Sequence, residues 1–207
     1  MKKLILIVAI IVLFCTTMFL LSAQNAEKPK VVGLAVTIAV DGVKDQAAFD
    51  ALATDLVKTA GIAEITTNIK TGILTATIDE SKVTLGDLVN IIAKHPKLDD
   101  AEKFYGAKIV CYINSRTEEK AEKLSDATKT NVIATIKKRP GIVDITLSDD
   151  GRTAKIAIAA TAKTRVGNLG QWFGHGLGMM VNTAGPVTNF IPNENRACNQ
   201  CHAHMPK

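Results

Sequence analysis

One stretch of this chain occurs twice. Gly61-Ile62-Ala63-Glu64-Ile65-Thr66 returns 80 residues later as Gly141-Ile142-Val143-Asp144-Ile145-Thr146. The match continues from Gly72-Ile73-Leu74-Thr75-Ala76-Thr77-Ile78 to Gly151-Arg152-Thr153-Ala154-Lys155-Ile156-Ala157, and from Gly86-Asp87-Leu88 to Gly167-Asn168-Leu169. A recurrence of this period means two copies of one supersecondary unit. The middle of the chain is therefore read as residues 30–105 and 106–184, each an independent statement of the same fold.

Periodicity supplies that fold. Residues 32–40 are β-branched and apolar and end at Asp41-Gly42, which predicts a strand. Phe49, Leu52, Leu56 and Ala60 recur at helical spacing. Residues 62–70 and 72–79 alternate across a turn at Lys70-Thr71-Gly72, and Thr84 caps a helix carrying Leu85, Leu88, Val89 and Ile92. With a short strand at 98–104, the order is βαββαβ, a split βαβ unit with both helices on one face of an antiparallel sheet. The second copy predicts a strand at 107–114, a helix at 117–138 longer than its counterpart by about two turns, a hairpin at 142–149 and 152–160, and a helix at 164–174. The fold class expected is α+β, two tandem ferredoxin-like units with a loop-like tail over 185–207.

The pattern "AVDG…FDALATDLVKTAGIAEITTNIKTGILTATID" resembles the heavy-metal-associated domain, the ferredoxin-like module of copper chaperones and metal-pumping ATPases. The resemblance covers about 150 residues and implies the fold. Laid on that family's motif, its glycine is Gly42 and its two metal-binding cysteines fall at Asp45 and Ala48; the matching loop of the second copy, Asn114-Ser115-Arg116-Thr117, also lacks the pair. A soft metal such as Cu(I) needs thiolates, so metal transfer does not carry over. Cys111, on a strand, reads as a small apolar residue.

The N-terminus looks like an export signal. Lys2 and Lys3 precede an uncharged stretch, Leu4 to Leu21, and Ser22, Ala23 and Gln24 follow. The stretch is longer than the ~7–15 residues of a usual signal and approaches the ~20 that cross a bilayer. Residues 1–23 are thus either a cleaved signal or a membrane anchor, and on both readings the remainder lies outside the cytoplasm, in the periplasm or held at the inner membrane. Without that segment, 23 basic residues face 20 acidic ones. This balance, with no aromatic-interleaved basic stripe, argues against nucleic acid as a partner.

The chemistry concentrates in the tail, at Cys198-Asn199-Gln200-Cys201-His202. Cys-x-x-Cys-His is the attachment signature of c-type haem. Two thiols at this spacing reach two vinyl groups of one macrocycle, and the next residue, His202, falls under the iron as proximal ligand. The chain resembles c-type cytochromes in these five residues, which implies one covalent haem c per chain and one-electron transfer to redox partner proteins. Three other readings share the motif: a redox disulfide between Cys198 and Cys201, a zinc site completed by His204, and chance. A tail this short and this rich in proline and asparagine buries no haem alone, so the two units must cover it. The expected surface is where the copies diverge: Val89-Asn90-Ile91-Ile92-Ala93-Lys94 in the first, Gly170-Gln171-Trp172-Phe173-Gly174-His175 in the second. Trp172 and Phe173 supply apolar area and the glycines close approach; the plainer reading is a helix with core aromatics running into a glycine loop.

His175 is the first candidate for the sixth iron ligand, with a helix-end histidine favoured by the dipole as the plainer reading. Met179 or Met180 is the alternative, His95 reads as a helix cap, and His204 is placed to ligate the haem of a neighbouring subunit in a homo-oligomer. No acid–base pair, nucleophile–base pair or phosphate loop stands out, and the glycines at 167–178 do not follow a strand as a dinucleotide loop must. The expectation is an electron carrier; a haem-based ligand sensor with an open iron site, a haem-bridged structural subunit and a metal-handling protein are the alternatives.

Overall fold

The computed structural model describes residues 33–98, 100–115 and 117–186. The expected leader, residues 1–23, and the Cys198–His202 motif lie outside the described residues. In chain order the elements are β1 (Leu34–Asp41), α1 (Gln46–Leu56), β2 (Ile62–Asn68), β3 (Ile73–Ile78), α2 (Leu85–Lys94), β4 (Pro96–Lys97), β5 (Asp100–Phe104), β6 (Gly106–Ser115), α3 (Asp126–Lys137), β7 (Ile142–Leu147), β8 (Thr153–Ile158), α4 (Val166–Leu177) and β9 (Met179–Asn182).

The repeat is physical as well as textual. Gly61 and Gly141 both sit at positive φ, +94° and +80°, where a side chain is strained. Each opens the turn from helix to strand through the same two bonds. Ile62 and Ile142 donate to Thr59 and Arg139 carbonyls at 3.1 Å, and the Gly61 and Gly141 carbonyls accept from Asp79 and Ala159 at 2.8 Å. Alternation then does the rest. In the central strands of the sheet one parity is buried beneath the helices, as with Val36, Ile38 and Val40 in β1, or Ile109, Cys111 and Ile113 in β6. The helices lay Leu52, Leu88, Ile136 and Phe173 on that face, and one apolar cluster runs through both copies.

The strands form one antiparallel sheet in the order β2-β3-β1-β6-β8-β7, with β9 also paired to β6. The fold is α+β, two tandem ferredoxin-like units. The second unit is complete as β9-β6-β8-β7. The first holds only β2-β3-β1 of its own, and β6 stands where its fourth strand belongs. β6 pairs with β1 through Gly106–Val110, with β8 through Ile109–Tyr112, and with β9 through Tyr112–Ser115. Beyond Val110, β1 and β6 diverge and β9 enters the fork. Thr183 closes it: its carbonyl accepts from Thr37 N–H at 2.7 Å and its hydroxyl donates to Ala35 O at 2.8 Å.

Three local expectations change. The strand expected at 98–104 exists as β5 but pairs with β4 in a separate hairpin, because β6 already occupies the edge of β1. The long helix expected from 117 begins only at Asp126, so α1 and α3 are nearly equal, at 11 and 12 residues. The residues before it form a loop held by Arg152, whose guanidinium donates to the Glu118 and Ala121 carbonyls at 2.5 and 2.6 Å. Ser125 then starts the helix by accepting from Thr128 N–H at 3.2 Å. Finally, the expected glycine loop after residue 174 is helix to Leu177, followed by β9.

The copies meet along a seam at the start of α2. Leu85 N–H donates to Thr164 O at 2.9 Å, Lys163 pairs with Asp87 at 3.2 Å, and the Glu80 carboxylate accepts from Val166 N–H at the start of α4. Gly86 makes this approach possible: a Cβ there would stand 2.1 Å from Ala162 O.

Candidate functional site

The family motif that the first copy resembles is occupied by a helix cap. Asp45 accepts from Ala48 N–H at 2.8 Å, so the two positions that would carry thiols bond to each other as the start of α1. In the second copy Ser115 Oγ accepts from Glu118 N–H at 3.2 Å in the loop ahead of α3. Among the described residues no group of three or more His, Cys, Asp or Glu side chains is arranged to hold a metal ion. Cys111 is fully buried, and burial pushes its thiol up to about 12, which removes the thiolate that metal binding requires.

The expected haem-contact segment is α4, and its residues divide between two faces. Phe173 is 0% exposed and Met179 4% exposed, both within the core cluster. Phe173 is therefore a packing residue that presents no area to a ring, and Met179, on β9 opposite Ser115, points its thioether into the core. Trp172 is half-buried against the same cluster. The outer face carries Gly167, Gly170, Gly174 and Gly178, with His175 exposed beside them in the last turn. A Cβ at Gly167, Gly170 or Gly178 would meet nothing within 4 Å. Gly178 ends the helix in the left-handed region at φ +65°, its N–H bonded to Gly174 O at 3.0 Å. Of the sixth-ligand candidates within the described residues, His175 alone offers an exposed imidazole. His95 is the C-cap of α2 and is engaged at both ring nitrogens, by Pro96 O at 2.9 Å and Asp55 Oδ2 at 2.8 Å, with Tyr105 at 5.9 Å between ring centroids. Cys198, Cys201, His202 and His204 lie outside the described residues.

The donor set of the tail suits a covalent haem: two thiols for the vinyl groups and an imidazole for the iron. Among the described residues, α4 carries the exposed glycines and the exposed imidazole of His175.

Sequence reasoning missed a second feature, on the sheet face away from the helices. A depression of about 380 Å³ is lined by Thr66, Thr67, Asn68, Thr71, Ile73, Thr75 and Tyr112, with no charged side chain. Pairing aligns Thr66 with Thr75, Thr75 with Thr37, and Thr37 with Val110, a row across four strands. Thr37 is 2% exposed and its hydroxyl has no hydrogen-bond partner. Tyr112 lies two residues along β6 from Val110 and lines the depression from the far side of β1. The signal was present as threonines at alternate positions of the first copy's strands, the outward parity.

No helix among the described residues is long and apolar enough to cross a membrane. No family model matches the sequence, and no curated protein matches it. Among solved structures, the water-soluble region of the P-type ATPase CopA from Bacillus subtilis is similar at 14% identity and a TM-score of 0.34, over 72% of this chain and 89% of that one. The N-terminal soluble domains of the same protein give 15% identity and a TM-score of 0.33, over 71% and 90%. Scores this low carry no argument; the fold assignment rests on strand order and register.

Proposed function

We propose that this chain is a monohaem c-type cytochrome that transfers single electrons outside the cytoplasm. One observation carries the reading: Cys198-Asn199-Gln200-Cys201-His202, in a chain whose first residues have the pattern of an export signal. A haem so bound supplies reversible one-electron chemistry at its iron. Cys198 and Cys201 hold the macrocycle through thioethers and His202 binds the iron from the proximal side. His175 is the sixth-ligand candidate, supported by its exposure beside the glycines of α4. The two units carry the tail and present surfaces to redox partner proteins. The absence of paired thiols at the positions of Asp45 and Ala48 supports an electron carrier over a metal-handling protein.

A pyridine haemochrome spectrum together with the intact mass of the exported protein tests the reading. One haem per chain by both measures is the expected outcome; a mass equal to the polypeptide alone, with no Soret band, removes it. Carbon monoxide decides between electron transfer and the ligand-sensor alternative, which is favoured by the burial of Met179 and the engagement of His95. A low-spin spectrum unchanged by the gas means six-coordinate iron and electron transfer, and a shifted Soret band means an open site. Replacing His204 with Ala tests the haem-bridged oligomer through assembly size.

A further inference from the structure

We propose that the depression on the open face of the sheet is a binding site for an uncharged saccharide. It is built on two cross-strand pairs. Thr66 on β2 stands opposite Thr75 on β3, and Asn68 stands opposite Ile73. All four lie on the face away from the helices, because Leu74 and Ala76, the alternate residues of β3, belong to the core. Residues paired in this way hold their Cβ atoms ~4.5–5.5 Å apart, and the two pairs follow one another by roughly 7 Å along the strands. Thr71, in the turn between β2 and β3, closes one end, and Tyr112 closes the far side from β6, beyond β1. In between, β1 sets Ala39 opposite Ile73, a side chain too short to fill the space.

The groups left free decide the ligand. Among the described residues the hydroxyls of Thr66, Thr75 and Tyr112 have no hydrogen-bond partner. Asn68 accepts from Lys70 N–H at 3.1 Å through Oδ1, which leaves its amide NH2 as a donor. The Thr71 hydroxyl donates to Asn68 O at 3.3 Å and keeps its lone pairs to accept. Thr67 is committed elsewhere, its hydroxyl accepting from Gln46 of α1 at 3.0 Å. The site therefore offers hydroxyls that both donate and accept, one amide, one aromatic ring and one isoleucine.

That set rejects most ligand classes. No charged side chain lines the depression, so an ionic ligand would lose its water with nothing opposite it. An apolar ligand would strip water from the hydroxyls and replace none of it. A peptide brings N–H and C=O groups that need a strand edge, and the depression lies on a face. A sugar ring meets every part: its hydroxyls donate and accept in kind, and its C–H face packs on Ile73 and on the ring of Tyr112. The about 380 Å³ available is at the small end of the ~300–1,000 Å³ of ligand sites and suits one or two sugar rings. Thr66, Asn68 and Thr71 are exposed, so a longer glycan runs past them into solvent. A site this open holds a disaccharide with a Kd on the order of millimolar.

The test is saturation-transfer NMR on the full-length protein. The neutral probes are N,N′-diacetylchitobiose and cellobiose, the charged probe is the galacturonic acid dimer, and each is used at about 10 mM, well above the affinity expected. Transfer to at least one neutral disaccharide and none to the uronate is expected. Thr75→Val keeps the shape and removes one hydroxyl; it should weaken binding about fivefold, the loss of one hydrogen bond. Tyr112→Ala should weaken it about tenfold by removing the ring. Chemical denaturation shows that each variant is folded, and the near-isosteric Thr75→Val decides the matter if Tyr112→Ala is not. No transfer to either neutral disaccharide, equal transfer to the uronate, or unchanged binding in folded Thr75→Val would overturn the inference. Haem content, measured on the same samples, fails or holds independently: protein without haem that still takes the neutral disaccharide removes the cytochrome reading and leaves the saccharide site intact.

Discussion

Gly86 and Gly167 occupy the same place in the two copies, each the second residue of its helix, and they do opposite things. Gly86 lets the first copy's helix come against the Ala162 carbonyl, so that any side chain would intrude, whereas Gly167 faces open space. The residues around them diverge in the same sense. α2 begins with a reciprocal cap, Thr84 Oγ1 accepting from Asp87 N–H at 3.2 Å and Asp87 accepting from Thr84 N–H at 3.1 Å. α4 begins with Arg165, whose N–H donates to Asn168 at 2.9 Å, and borrows its remaining acceptor from Glu80 of the other copy. The first copy spends its helix start on joining the halves together, and the second turns the glycine at the same place toward open space. A repeated motif therefore fixes a backbone path without fixing what the path is used for.

The largest test of this contrast lies at equivalent core positions. Ile92 and Phe173 are both fully buried. Truncation to Ala should cost about 2–5 kcal/mol at Ile92 and about 3–5 kcal/mol at Phe173 in chemical denaturation. A Phe173→Ala protein that keeps its stability but shifts its Soret band would return Phe173 to the haem surface. Next in size, Gly86→Ala should destabilise by about 1–3 kcal/mol or more, since the contact is to backbone, while Gly167→Ala should add up to about 1 kcal/mol through helix propensity. Equal effects at the two glycines would erase the distinction between seam and open face.

A smaller effect should appear with pH. The Thr84 hydroxyl, followed by the Thr84 N–H, holds the Asp87 carboxyl below its usual value. A carboxyl lowered in the folded state adds stability that is fully present above its unfolded value, about 3.9, and that is lost as pH falls through the folded value. The protection of amides at the start of α2, corrected for the intrinsic exchange rate, should fall below about pH 4 in wild type and stay level there in Asp87→Asn. The smallest expected change in stability is His175→Ala, within about 0.5 kcal/mol for a surface residue. The same variant should alter the haem spectrum if His175 ligates the iron, and an unchanged low-spin spectrum would exclude it.

How much of this was legible depends on the range of the interaction. The turns at Gly61 and Gly141, the alternating strands and the capping box at Thr84 are local, and sequence spacing reports them directly. Ser125 and Thr128 marked the true start of α3, but the charged residues before them also read as a solvated helix face, and Arg152 decides the matter from the following hairpin. The choice of β6 as neighbour to β1 was not legible, because it depends on which distant strand reaches an edge first. β9 was obscured by its glycine-rich approach. For the site, the tail motif is legible because its chemistry lies in five consecutive residues. The roles of Phe173 and Met179 were not, since a helix with aromatics on one side and glycines on the other does not announce which side meets the sheet. The threonine row was visible only as β-propensity until register joined its members.

One consequence follows from the single strand that completes both halves. A chain cut after Phe104 would keep every residue of its own repeat and still lack its last strand. The flank of β1, from Thr37 to Asp41, would stand with unpaired amides and carbonyls, an invitation to strand addition by any extended peptide, including another cut molecule. The two halves are in this way one whole, which proteolysis at the junction would turn into adhesive fragments.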